Sequence, residues 1–138
     1  MAIDTKIIEY YNVAVEGHIG EGAKLLAVFA EAGVNLLAFK AVALDPMRTQ
    51  FALFPDDGSK MNNGAKKAGL KLDGPYSALL IKGDNDEAGE LADIYEKLSR
   101  ADINILESIG IADIKGSYGV IIYLRQADSE KAAAALEN

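Results

Sequence analysis

The 138-residue chain has no cysteine and no tryptophan, a single histidine and three prolines. Without cysteine there are no disulfides, thiolate zinc sites, iron–sulfur clusters or cysteine nucleophiles. One imidazole, His18, cannot build the multi-histidine sites of catalytic zinc or haem proteins. Basic residues are also scarce, with 14 Lys and Arg against 21 Asp and Glu and a net charge of −7. That balance argues against nucleic acid, because phosphate binding draws on clustered cations to release counterions. The only dense basic patch, Lys60, Lys66, Lys67 and Lys71, reads as a solvated helix face. No apolar run approaches the roughly 18 residues of a membrane span. The start, Met1-Ala2-Ile3-Asp4-Thr5-Lys6, is polar and unlike a signal peptide, so the expected location is cytoplasmic. No cofactor, resident metal or membrane partner is expected.

What is present is the balance of an ordinary globular protein: half the residues are hydrophobic and a quarter are charged. The pattern repeats at an offset of 69 residues, half the chain. Gly20-Glu21 returns as Gly89-Glu90, Ala32 as Ala101, and Val34-Asn35-Leu36 as Ile103-Asn104-Ile105. Leu25/Ile94, Leu26/Tyr95, Phe29/Leu98, Phe51/Val120 and Leu53/Ile122 keep the register. A repeat of this kind sets the architecture, which follows from the unit.

Ile7–Val15 is rich in β-branched and aromatic residues and reads as a strand. Glycines 17, 20 and 22 then give a loop, and Leu25 to Ala32 recur at helical spacing with Gly33 placed as a C-cap. Asn35–Leu44 and Thr49–Phe54 read as strands joined by a turn at Asp45-Pro46-Met47. Ser59 is placed to cap a helix running to Ala68. The second half repeats this order: strand Tyr76–Lys82, helix Asp86–Ala101, hairpin Asn104–Ala112 with Tyr118–Leu124, and helix Ser129–Leu136. The expected fold is α+β, two tandem ferredoxin-like βαββα(β) units with antiparallel sheets and helices on one face. The boundary falls at Gly69–Pro75, giving units 1–72 and 73–138. Leu70-Lys71-Leu72 is a candidate fourth strand for the first unit, and the N-terminal segment 2–6 for the second.

The strand–loop–helix junction is the most informative local feature. It reads Glu16-Gly17-His18-Ile19-Gly20-Glu21-Gly22 in one half and Gly83-Asp84-Asn85-Asp86-Glu87-Ala88-Gly89 in the other. Each delivers the chain into a helix N-terminus, where free N–H groups and the dipole favour an anionic group. The other reading is that the glycines serve only the turn, with Asp86 as cap. Gly20-Glu21-Gly22 is no dinucleotide fingerprint: Leu25 stands at the third glycine, and two consecutive strands follow the helix.

Asp86-Glu87-Ala88-Gly89-Glu90-Leu91-Ala92-Asp93-Ile94, with Leu98, Ala101 and Ile103-Asn104-Ile105, resembles the ACT-domain signature. The first half matches less fully, through Gly20, Leu25, Leu26, Phe29, Ala32, Gly33, Val34, Asn35 and Leu36, and glycine precedes asparagine by 15 residues in both. The resemblance spans nearly the whole chain and extends to small stand-alone proteins with two ACT units. It implies a non-enzymatic regulatory protein that binds a small molecule, commonly an amino acid, where units pair. Asp86, Gly89 and Asn104 match the family's ligand-holding positions, as do Gly20 and Asn35, but Gly17 stands where Asp86 does. Asp84 and Asn85 lie in the same loop, so the expected ligand residues are Asp84, Asn85, Asp86, Gly89, Asn104, Gly20 and Asn35, with none catalytic. Asp84, Asp86 and Asn104 offer acceptors for an ammonium group and the backbone near Gly89 offers donors. Asn35 and Asn104 have another reading, a side-chain cap where each hairpin strand begins. A homodimer is expected, with any regulated enzyme on another chain. The alternative is an assembly module that pairs subunits through sheet edges without a ligand. An enzyme using Asp45, Asp56 and Asp57 is a third reading, though acidic residues are common at turns.

Overall fold

The computed structural model describes residues 3–17, 19–84 and 88–137. The elements run in the order β1 (Ile3–Glu16), α1 (Glu21–Glu31), β2 (Leu36–Asp45), β3 (Arg48–Pro55), α2 (Gly58–Ala68), β4 (Asp73–Gly83), α3 (Glu90–Arg100), β5 (Glu107–Ala112), β6 (Tyr118–Tyr123) and α4 (Ser129–Glu137). The fold is the expected α+β class: antiparallel strands with helices packed on one face. Contacts divide the chain into two compact units, Glu9–Tyr76 and Met1–Ile8 with Ser77–Asn138. The division therefore passes inside β1 and inside β4. No helix among the described residues is long and apolar enough to cross a membrane.

In Glu9–Tyr76, β3 pairs antiparallel with both β1 and β2. Register sets Tyr11 opposite Leu53 and Val13 opposite Phe51, so these alternate residues share a face. Leu25 and Phe29 of α1 and Met61 and Ala65 of α2 complete that core. The two helices approach closely at Gly64, where a Cβ would stand 2.8 Å from that of Ala32. The cap of α2 is Asp57 rather than Ser59: its carboxylate accepts from the backbone N–H of Ser59 at 2.9 Å and Lys60 at 3.4 Å. The helix then ends at Gly69, left-handed at φ 70°, with Leu70 N–H returning to Ala65 O. Leu70-Lys71-Leu72 is not a strand, because this helix-ending turn occupies its start; β4 begins at Asp73.

In the other unit, β6 pairs antiparallel with β4 and β5. Leu79 and Ile81 of β4, Val120 and Ile122 of β6, Ile94 and Leu98 of α3, and Ala132 and Leu136 of α4 form the core, with Ile3 packed against it. Strand β1 starts at Ile3, earlier than Ile7; Ile3 and Thr5 are half-buried and Asp4 and Lys6 exposed, and the phase changes at Ile7, which is exposed while Ile8 is buried.

The repeated Val34-Asn35 and Ile103-Asn104 steps mark the same helix ending in both units. Gly33 (φ 81°) and Asp102 (φ 60°) take the left-handed position, and Val34 and Ile103 send N–H bonds of 2.9 and 3.0 Å to Phe29 and Leu98. Ile103 is buried and Val34 packs on its own core, so the hydrophobic residue after the left-handed turn seals each helix end. Strands β2 and β5 consequently begin at Leu36 and Glu107, after the asparagines.

Candidate functional site

Both strand–loop–helix junctions end on a glycine in one conformation. Gly20 and Gly89 are the N-caps of α1 and α3, each at φ 96°, ψ −11°, and neither helix carries a side-chain cap. A residue with a side chain is strained at such a φ, and no atom lies within 4 Å of where a Cβ would sit. Among the described residues, no side chain caps the N-terminus of either helix.

In Glu9–Tyr76, the junction lies against the β2–β3 turn, with the Gly17 N–H donating to Met47 O at 2.6 Å. A Cβ on Gly17 would stand 2.9 Å from both Met47 O and Cε, which explains the glycine. A cavity of about 280 Å³ remains, lined by Glu16, Ile19, Glu21, Met47 and Phe51 among others. Glu21 is directed at Lys24, 3.2 Å away. The turn itself is held by Asp45, whose carboxylate accepts from Arg48 Nε and from Met47 N–H, both at 2.8 Å. The Arg48 hydrogen bond first, and that of Met47 second, hold this carboxyl below its ordinary value of 3.8. A depressed carboxyl contributes stability above its unfolded-state value, which is lost as pH falls through the folded one. NMR acid titration is expected to give Asp45 a lower midpoint than an ordinary aspartate, and Arg48→Met to raise it; an unchanged midpoint would remove the guanidinium as the cause.

In the Ser77–Asn138 unit, the first turn of α3 and strand β5 border a cavity of about 340 Å³. Its walls are apolar at Leu91, Ile109, Ile111 and Val120, and polar at Glu90, Ser108 and Tyr118. Ser108 bonds to Tyr95 of α3 at 2.5 Å. Glu90 is only 6 % exposed. Its Oε2 accepts from the Tyr118 hydroxyl at 2.5 Å, and its Oε1 is buried with no hydrogen-bond partner among the described residues. Tyr118 reaches it by lying across Gly83, its partner in the β4–β6 register, where a Cβ would overlap the ring. A second cavity of about 520 Å³ lies on the other flank of Tyr118, lined by Lys82, Asp84, Asp113 and Ser117 among others.

Of the residues the sequence nominates, Asp84 stands exposed on the wall of that second cavity. Gly20 and Gly89 are the helix caps just described. Asn35 and Asn104 are exposed, just before β2 and β5, and line none of these cavities. At Asn35 the side-chain cap runs the opposite way from the reading above: the Asp56 carboxylate accepts the Asn35 N–H at 3.1 Å, and Asp56 N–H returns to Asn35 O at 2.8 Å. Asn85 and Asp86 lie outside the described residues, as does His18. The patch of Lys60, Lys66 and Lys67 is exposed on α2, with Lys71 exposed just beyond it.

Sequence reasoning missed Glu90 and Tyr118. Glu90 was visible as half of the repeated Gly-Glu pair, and Tyr118 as the aromatic at the position of Thr49. What joins them is a contact across 28 residues that neither segment announces.

No family model matches this chain, and no curated protein matches it. Solved structures do. Protein BT0572 from Bacteroides thetaiotaomicron superposes with a TM-score of 0.81 at 18 % identity, over 96 % of this chain and 88 % of that one. The ligand-free regulatory subunit of aspartate kinase from Thermus thermophilus gives 0.65 at 18 % identity, over 98 % and 94 %. A putative C-terminal regulatory domain of aspartate kinase from Porphyromonas gingivalis gives 0.58 at 14 % identity, over 99 % and 96 %. At such identities the likeness establishes architecture: this chain has the ACT-like fold of aspartate kinase regulatory domains.

Proposed function

We propose that the chain is a non-enzymatic regulatory protein that binds an amino acid at the strand–loop–helix junctions of two ACT-like units. The cavity between the first turn of α3 and β5 carries this reading: about 340 Å³, mostly apolar, with a few converging polar groups. That is the size and lining of a small-metabolite pocket. The helix N-termini at Gly20 and Gly89 offer donors for a carboxylate. Asp84, on the wall of the neighbouring cavity, and the adjoining Asn85 and Asp86 supply further acceptors, Asn104 stands outside the cavity, and Gly20 and Asn35 are the weaker first-unit counterpart. The units divide at 72/73, with the N-terminal strand completing the second; Ile3, packed on that core, supports this. The chain acts in the cytoplasm as a homodimer on an enzyme carried by another polypeptide, as the similarity to a regulatory subunit suggests. Binding governs that partner through unequal affinity for two states.

Thermal denaturation with each of the twenty amino acids tests this. A ligand at a hundredfold its Kd adds about 2.7 kcal/mol, a rise on the order of 5–10 °C for a chain of this size. No shift with any of them sinks the amino-acid reading.

One observation favours the assembly module instead: edge strand β5 exposes Ile109 and Ile111 at 54 % and 79 %. That reading expects a homodimer by light scattering whose association no amino acid changes.

A further inference from the structure

Glu90 is a carboxylate placed where a carboxylate is expensive. Burial removes its hydration, and a buried charge is tolerated when paired and hydrogen-bonded. Tyr118 serves Oε2 only, Oε1 has no partner, and no ion pair reaches Glu90 among the described residues. The matched residue in the other unit is served differently. Glu21 is partly exposed and paired with Lys24. The position matching Lys24 is Asp93, which itself pairs with Lys97 at 3.5 Å, so α3 has no cation there for Glu90.

Resting on the reading above, we infer that Glu90 is the carboxylate that receives the ammonium group of an aliphatic amino acid in the Ser77–Asn138 unit. The missing partner of Oε1 is a donor brought by the ligand, from the cavity that Glu90 lines. An ammonium supplies both the hydrogen bond and the countercharge, and charge-assisted bonds of this kind are about twice as strong as neutral ones. Leu91, Ile109, Ile111 and Val120 supply the apolar wall for the rest of the molecule. Leu91, which borders the same cavity, is 54 % exposed. The unit Glu9–Tyr76 lacks this recognition, because Lys24 already holds Glu21.

Isothermal titration of the full chain with three probes tests the assignment: L-leucine, 3-methylbutylamine, which lacks the carboxylate, and 4-methylpentanoate, which lacks the ammonium. Leucine and the amine are expected to bind, and the acid not to. Glu90→Gln keeps an acceptor for Tyr118 but removes the charge. It is expected to weaken both amines about tenfold or more, with an unchanged circular-dichroism spectrum, while Glu21→Gln leaves them unaffected. If leucine binds and Glu90→Gln does not weaken it, or the acid binds as well as leucine, the assignment of Glu90 is overturned and the amino-acid reading stands. If only 3-methylbutylamine binds, in a Glu90-dependent way, the assignment of Glu90 to an ammonium stands and the amino-acid reading falls. Failure of both amines at millimolar concentration overturns the inference.

Discussion

Tyr118→Phe is expected to destabilise the Ser77–Asn138 unit by about 2–4 kcal/mol, far more than the deletion of an exposed hydroxyl. Among the described residues, the hydroxyl is the one hydrogen-bond donor on the Glu90 carboxylate, at 2.5 Å. Removing it leaves a group that is 6 % exposed with both oxygens unserved. A lone hydrogen bond contributes on the order of 1 kcal/mol; the larger figure is the desolvation of the orphaned carboxylate. Tyr118→Phe combined with Glu90→Leu removes both members, so most of the loss is expected to return. Urea denaturation followed by circular dichroism reads both quantities. A single-variant cost below about 0.5 kcal/mol, or a double variant as unstable as the single, would mean that Glu90 draws its stabilisation from elsewhere.

The second large effect is expected at Gly83. A methyl group there would overlap Cε1, Cζ and Oη of Tyr118, its neighbour across the β4–β6 ladder. Strand geometry accepts alanine, so the obstacle is the ring laid over the glycine rather than the backbone. Gly83→Ala therefore forces the ring aside, separates its hydroxyl from Glu90 and disturbs the wall shared by the two cavities around Tyr118. A cost of about 2–4 kcal/mol is expected, combining overpacking with the lost bond. In a Tyr118→Ala background the same change should cost little, because the overlapping atoms are gone. Equal costs in the two backgrounds would place the strain in the backbone instead.

These positions show where sequence reasoning reaches and where it stops. Helix α1 was legible because spacing, glycine and cap sit within one short segment: Leu25 and Phe29 face the core and Gly33 ends the helix left-handed. The cap of α2 was misassigned because aspartate and serine are both good caps and lie two residues apart; the backbone at Asp57, extended at φ −139°, decides between them. Segment 2–6 and Ile7–Val15 read as separate strands in the sequence, and only the fold joins them into one β1 from Ile3, whose side chain packs on a core distant in the chain. Leu70 and Leu72 looked like a strand, yet Leu70 belongs to the turn closing α2. Of the nominated site, the glycines were readable as backbone requirements, whereas the buried carboxylate was not.

The sequence by itself determined the repeated βαββα order, the α+β class and the two junction glycines, because each is encoded by local periodicity or by a conformation that glycine adopts freely. Only the tertiary structure decided that Glu90 is buried while its counterpart Glu21 meets Lys24 at the surface. The two glutamates begin the same helix in equivalent units. Their difference lies in what stands across the strand register, threonine at position 49 in one and tyrosine at position 118 in the other, and in whether a glycine lets that ring lie flat. Burial and pairing are set by neighbours distant in the chain, so no local reading of Gly-Glu could tell the two apart.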